Sequence, residues 1–195
     1  MEVRAPSSST GRTGIAGIRE RLNELWRQTG MTRCPVLVSL DMPAEKVVSQ
    51  ARARRRSIDD WVQVAGDHAE FARFEHLVQG WPIDAMFLLR HRAPARERAQ
   101  PITIGRSRGC DVCIREEWIS KVHAAVIRDD EPSRSGVGDA YYITDLESRH
   151  GVLVNGELVP ADELRPLDSG DIVTLGRVAL LFLDARSQLL LVKGA

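Results

Sequence analysis

The stretch from Ile102 to Val126 gathers the residues best suited to holding an anion. Ile104-Gly105-Arg106-Ser107 comes first, then Cys110-Asp111-Val112-Cys113-Ile114, then Ile119-Ser120-Lys121-Val122-His123. A second polar turn, Asp145-Leu146-Glu147-Ser148-Arg149-His150-Gly151, leads into Val154-Asn155-Gly156. Arginine offers a planar fork that makes paired, charge-assisted hydrogen bonds to oxyanions. Lysine offers a compact positive charge, and serine a hydroxyl donor. Turns of this composition, set at the end of a sheet, can converge on one anion.

The elements that must carry these turns read as short strands. Ala85–Leu89, Pro101–Gly105, Asp111–Ile114, His123–Arg128 and Tyr141–Leu146 are brief apolar or alternating runs separated by polar turns. Ala93–Gln100 is a polar turn containing Pro94, and Asp129–Asp139 a charged loop. Val152-Leu153-Val154 followed by Asn155-Gly156 is a two-residue hairpin signal, with Glu157–Val159 as the returning strand. Asp168-Ser169-Gly170 forms a turn before Asp171–Leu175, Gly176 and Val178–Leu183, and Gln188–Val192 is expected as a last strand. Many short strands at regular spacing predict a β-sandwich.

The order Gly-Arg, Ser-x-x-His, Asp-x-x-Ser-x-x-Gly and Val-Asn-Gly resembles a forkhead-associated (FHA) domain, of bacterial type, over roughly residues 85–184. The resemblance implies a sandwich that reads phosphothreonine through cationic loops. It implies that Arg106 grips the phosphate, that Ser120 donates a hydroxyl to it, and that Lys121 assists from the neighbouring position. Arg149 adds a second fork. His123 is implied to be structural, its ring supporting the loops, with Gly105, Gly151, Asn155 and Gly156 shaping the motif. One departure stands out: the family places an asparagine, bonded to the bound peptide's backbone, where this chain has His150. Neutral imidazole offers one donor and one acceptor at a different spacing from an amide, so peptide orientation or pH dependence is expected to differ. Trp118, just before Ile119-Ser120, is either a contact for a residue beyond the phosphothreonine or an apolar plug under the loop.

The N-terminal part reads differently. Residues 1–14 lack apolar periodicity and are expected to be a disordered tail in which Thr10 and Thr13 are phosphorylatable. Ile15–Thr29 has a helical stripe, Ile15, Ile18, Leu22, Leu25 and Trp26, ended by Gly30, and either packs on the body or docks a partner. Val36-Leu37-Val38 is β-like, and a helix is expected from Pro43 to about Arg54, capped by Asp41. Its end carries Arg52, Arg54, Arg55 and Arg56, and Ser57 follows as a candidate site for an arginine-directed kinase. Trp61, Val62 and Val64 suggest an extended segment, and Asp67 caps a helix presenting Phe71, Phe74, Leu77 and Val78. The expected architecture is mostly β: an FHA-like sandwich of short antiparallel strands over 83–195, with a helical extension over 15–82 packed on it.

Composition excludes several classes. Across 195 residues, 27 Lys and Arg balance 27 Asp and Glu, so the basic bias of a nucleic-acid partner is missing. No apolar run approaches the ~18 residues of a membrane span, and the N-terminus lacks a signal-type apolar region, so a cytoplasmic protein is expected. Three cysteines do not suggest a disulfide framework. Cys110-x-x-Cys113 has zinc or redox spacing but no second pair, so Cys113 is expected in a strand and Cys110 beside a turn. There is no nucleophile elbow, no phosphate-cradling glycine loop before a helix and no metal cluster, so neither enzymatic activity nor a cofactor is expected. The resulting expectation is an adaptor that binds a threonine-phosphorylated protein, such as a Ser/Thr kinase or its substrate. The alternative is a phospho-independent scaffold with a degenerate site.

Overall fold

Every residue of Val36-Leu37-Val38-Ser39-Leu40 is buried. A strand covered on both faces reads as a continuous apolar run rather than an alternation, and this one lies inside a sheet. In the computed structural model, which describes residues 2–4, 13–31, 34–59, 67–92, 100–132 and 139–193, the elements are β1 (Glu2–Arg4), α1 (Gly14–Thr29), β2 (Val36–Leu40), α2 (Ala44–Asp59), α3 (Asp67–Val78), β3 (Ile83–Leu88), β4 (Ile102–Gly105), β5 (Val112–Cys113), β6 (Ala124–Pro132), β7 (Asp139–Asp145), β8 (Val152–Val154), β9 (Glu157–Val159), β10 (Arg165–Leu167), β11 (Ile172–Leu175), β12 (Val178–Leu183) and α4 (Ala185–Lys193).

Two sheets form the sandwich. The seven-stranded one runs β1-β3-β2-β12-β11-β8-β9 and the five-stranded one β10-β7-β6-β4-β5. All pairs are antiparallel except β4–β5, a departure from the uniformly antiparallel expectation. Strand alternation sorts side chains into two cores. Leu37, Phe87, Leu180 and Phe182 join Ile104, Val126 and Ile143 between the sheets. Val36, Val38, Met86, Leu181 and Leu183 face the other way, against Ile18, Leu22 and Leu25 of α1 and Phe74 and Leu77 of α3. The molecule therefore has three layers: helices, seven-stranded sheet, five-stranded sheet.

Segment 15–82 does more than pack on the sandwich. Its strand β2 sits between β3 and β12, with Leu37 opposite both Phe87 and Phe182, so α2 and α3 are inserted between two neighbouring strands of one sheet. Residues 2–4 also depart from expectation. They pair with β3, Glu2 opposite Phe87, because an edge strand is held by backbone bonds and needs no apolar period. The rest of the expected tail up to Arg12 lies outside the described residues, as do Trp61, Val62, Val64 and Pro94.

The expected last strand at Gln188–Val192 is instead the helix α4. Asp184 Oδ1 accepts from Ser187 N at 2.7 Å, an N-cap bond. Ser187, Gln188 and Leu191 are the buried positions, a helical spacing rather than alternation. Gln188 fixes the helix to the extension, its Nε2 donating to the carbonyls of Cys34 and Leu183.

The arginines ending α2 are structural staples. Arg54 donates to Leu77 O at 2.7 Å and stacks over Trp81, and burial lowers its pKa. Arg55 donates to Gly170 O at 2.6 Å and pairs with Asp171. Arg52 donates to Asn155 O at 3.0 Å, at the tip of the β8–β9 hairpin. There Asn155 and Gly156 both have positive φ, 54° and 79°, as a type I′ turn requires. Asn155 also accepts from Ile172 N and donates to Asp171 Oδ1, tying hairpin, sheet and helix together.

Candidate functional site

The site begins with a glycine that nothing larger can replace. A Cβ on Gly105 would sit 2.3 Å from Lys121 O and 2.9 Å from Cys110 Sγ. That closeness lets two loops lie backbone to backbone: Arg106 N donates to Ser120 O at 2.8 Å, and Ser107 N to Lys121 O at 3.0 Å. Gly105→Ala forces these loops apart. The expected cost is about 1–3 kcal/mol, as for overpacking elsewhere, with loss of the site's geometry, and a denaturant unfolding midpoint reads it.

Arg106 is exposed. Its Nε donates to Ile119 O at 3.2 Å, which fixes the plane of the guanidinium. Among the described residues its terminal amines have no partner. The loop that presents it is pinned from below by Asp111, whose Oδ2 accepts from both the amide and the hydroxyl of Thr103 at 2.9 Å. Burial pushes the Asp111 pKa up, but hydrogen bonds from Arg92 and Thr103 and the nearby His91 outweigh it and hold the pKa low. The two thiols brace the same loop. Cys110 Sγ donates to Lys121 O at 3.2 Å and Cys113 Sγ to Arg106 O at 3.5 Å. Cys113 lies in β5 and Cys110 just before it, and both are free. Among the described residues no group of three or more His, Cys, Asp or Glu is placed to hold a metal ion.

Ser120 links the second loop to the third. Its amide donates to His123 Nδ1 at 2.9 Å, and its Oγ accepts from Arg149 N at 3.0 Å. The serine hydroxyl thus keeps its proton free to donate elsewhere. His123 is fully buried. Since Nδ1 accepts, the neutral ring carries its proton on Nε2 and donates it to Gly151 O at 3.1 Å. Burial lowers the His123 pKa, against the opposing influence of the Gly151 carbonyl and Asp145, so the ring stays neutral. Ser148 finishes the third loop: Oγ accepts from Gly151 N at 3.0 Å, and its amide donates to Asp145 Oδ1 at 3.2 Å.

These bonds bring Arg106, Ser120, Lys121, Arg149 and His150 to one end of the sandwich. Arg106, Lys121, Arg149 and His150 are exposed, and Ser120 is half-buried. Three cations meet here with no ion pair to a described carboxylate, an arrangement that suits a multiply charged oxyanion. Of the motif residues, Gly105, His123 and Gly151 are built into this network. Asn155 and Gly156 lie at the β8–β9 turn against Arg52 and shape the fold away from the loops.

One residue beside the site, Arg177, escaped sequence reasoning. Gly176-Arg177 closes the β11–β12 hairpin, and Arg177 stacks its guanidinium on Trp118 at 3.8 Å. Trp118 in turn meets His150 edge-on, ring centroids 5.3 Å apart. The signal was present as a further Gly-Arg pair following a strand, as Gly105-Arg106 does.

Residues 102–176, in the C-terminal part of the chain, match the family model of the FHA domain. The chain is similar to a probable serine/threonine-protein kinase, fhkA, of Dictyostelium discoideum, 30% identical over a span covering 39% of this chain and 13% of that protein. It is similar also to human Kanadaptin, 32% identical over 40% of this chain and 11% of that protein. The chain therefore spans only a small part of the length of these curated relatives. Among solved structures, the yeast Dun1 FHA domain in complex with a doubly phosphorylated peptide derived from Rad53 is 19% identical, with a TM-score of 0.45, covering 78% of this chain and 76% of that one. An FHA domain is a binding module, and among the described residues no helix is long and apolar enough to cross a membrane.

Proposed function

We propose that this protein is a non-catalytic adaptor whose loops bind a phosphothreonine peptide, coupling it to Ser/Thr-kinase signalling. The observation that carries the reading is the meeting of Arg106, Lys121 and Arg149 beside the Ser120 hydroxyl with no described carboxylate to neutralise them. In this reading Arg106 donates both terminal amines to the phosphate, Ser120 donates its hydroxyl, Lys121 adds charge and Arg149 a second fork. A phosphothreonine carries nearly two charges and three strong acceptors, which matches this donor set. The partner is a threonine-phosphorylated protein, such as a kinase or its substrate. The three free thiols suit a reducing compartment, and the cytoplasm is the compartment we propose.

The test is a titration of degenerate phosphothreonine, phosphoserine and unphosphorylated peptide pools into the full chain. Saturable binding of the phosphothreonine pool alone is expected. Equal binding of a partner before and after phosphatase treatment would instead favour a phospho-independent scaffold, the reading to which His150, in the place of an amide, lends weight.

A further inference from the structure

We infer that Cys110 and Cys113 form an oxidative modification site: a peroxide couples the two thiols into a disulfide, and this reshapes the loops that hold Arg106 and Lys121. The thiol chemistry stands on its own, while its effect on ligand affinity rests on the phosphothreonine reading of those loops.

Three observations carry it. First, each thiol braces a different loop of the site. Cys110 Sγ donates to Lys121 O at 3.2 Å and Cys113 Sγ to Arg106 O at 3.5 Å, so a change at either sulfur is felt at a residue that presents a cation. Second, the two thiols are neighbours. Gly105 of β4 is the parallel register partner of Cys113 of β5, so the Cβ direction of Gly105 and the Cys113 side chain share one face of the sheet. Cys110 Sγ lies 2.9 Å from where a Gly105 Cβ would sit. Neighbouring strands are about 4.8 Å apart, which brings Cys110 Sγ within about 8 Å of Cys113 Cβ. Third, the two differ in access. Cys113 is half-buried, whereas Cys110 is only 2% exposed. Burial, then the neighbouring Cys113 and Asp111, push the Cys110 thiol's pKa up, so Cys113 is the sulfur that an oxidant meets first. Cys34 has no such arrangement: it packs on the helix-side core, its thiol directed at Met31 Sδ at 4.0 Å.

The chemistry takes two steps. The Cys113 sulfur attacks one oxygen of hydrogen peroxide; the O–O bond breaks, the other oxygen leaves as water, and Cys113 becomes a sulfenic acid. The Cys110 sulfur then attacks the Cys113 sulfur; the S–O bond breaks, and hydroxide leaves with the Cys110 thiol proton as water. Two thiols are oxidised and one peroxide is reduced to two waters. The product has no S–H donors, so Arg106 O and Lys121 O both lose their thiol bonds. A disulfide also holds its Cβ atoms about 3.8 Å apart, which draws the turn closed by Cys110 N and Ser107 O towards β5. In a reducing compartment such a bond is transient and is reversed by thiol exchange, so the change is erased when the oxidant is gone.

The experiment treats the full chain with hydrogen peroxide, alkylates the remaining thiols and digests with trypsin. Cleavage after Arg108 and Arg115 releases Gly109–Arg115, which holds both cysteines. This peptide is expected to appear unalkylated and lighter by two hydrogens, and to return to its dialkylated form when dithiothreitol precedes alkylation, while Cys34 alkylates throughout. The phosphothreonine peptide pool is then titrated into oxidised and reduced protein. Oxidation should weaken binding by roughly tenfold, the scale of two lost hydrogen bonds, and dithiothreitol should restore it. In Cys113→Ser, and separately in Cys110→Ser, the oxidised-to-reduced ratio of affinities should be about one; a thermal melt verifies that each variant folds. Dialkylated Gly109–Arg115 after peroxide overturns the modification site. Equal affinity of the disulfide and dithiol forms overturns its effect on the loops, with the phosphothreonine reading intact. Failure of reduced wild type to bind the pool removes that reading and the effect on affinity together, and the peptide mass still decides whether the disulfide forms.

Discussion

Arg106→Ala is expected to weaken phosphothreonine-peptide binding by roughly 100-fold, on the scale of two lost hydrogen bonds to a charged group, while leaving the fold intact. The two halves of this expectation come from one feature. The guanidinium is exposed, and the only bond it makes within the described chain is the 3.2 Å contact from Nε to Ile119 O. Removing it strips the site of its forked donor but leaves the backbone bond from Arg106 N to Ser120 O in place. Unfolding stability should stay within about 0.5 kcal/mol of the wild type, as for other surface substitutions. Arg106→Lys should recover only part of the binding, because a point charge cannot reproduce the planar fork. Calorimetric titration and a denaturant melt read both quantities. Unchanged affinity in the alanine variant would mean that the phosphate, if bound at all, is held elsewhere.

His123→Ala should do the opposite, harming stability first and binding as a consequence. The ring is fully buried and joins the second loop to the third by accepting from Ser120 N and donating to Gly151 O. Truncation orphans both backbone groups, at about 1–3 kcal/mol each, and adds a cavity cost. A loss of about 3 kcal/mol or more is expected from these costs together, on a domain whose whole stability is about 5–15 kcal/mol. The pH dependence gives a second signature. Burial lowers the folded-state pKa of His123, while the unfolded chain titrates near 6.5. Below that value the unfolded state binds a proton that the native ring resists, so stability falls as pH falls and is full above it. The wild type should lose stability as the pH drops below about 6.5, with a steeper slope than His123→Ala. Parallel pH profiles would show that the ring does not titrate as the geometry requires.

Much of the sandwich was legible because its turns are chemically marked. Asn155-Gly156 specifies its hairpin through backbone conformation alone, and the apolar residues at every second position of β6 and β7, Ala124, Val126, Tyr141 and Ile143, report the face turned to the core between the sheets. The anion-binding loops were legible for a related reason: their residues are polar where a packed core would not tolerate them. What misled was pairing and partnership between distant segments. Val36–Leu40 announced a strand but not that its neighbours would be β3 and β12, since a strand apolar on both faces carries no record of which side it serves. The run at 188–192 was misread because Leu189, Leu190 and Leu191 suit either period, and the cap at Asp184 decided for a helix. The arginines at the end of α2 gave no sign of their partners; the acceptors of Arg52, Arg54 and Arg55, which are Asn155 O, Leu77 O and Gly170 O, are backbone carbonyls that no sequence pattern displays. Arg177 was overlooked because its partner, Trp118, is 59 positions away in a chain that gives no sign of the contact.

The placement of β2 has a kinetic consequence. Its partners across the sheet are β12, which is among the last elements of the chain, and β3, reached only after two helices. Closing the central sheet therefore requires joining segments near opposite ends of the sequence, and loop-closure entropy must be met before those contacts return anything. Hairpins such as β8–β9 and β11–β12 are local and can form early, whereas the sheet that unites them waits for a distant strand. A chain of this topology belongs among the slower folders of its size, and until β2 inserts, the edges of β3 and β12 stand open to pairing with another copy.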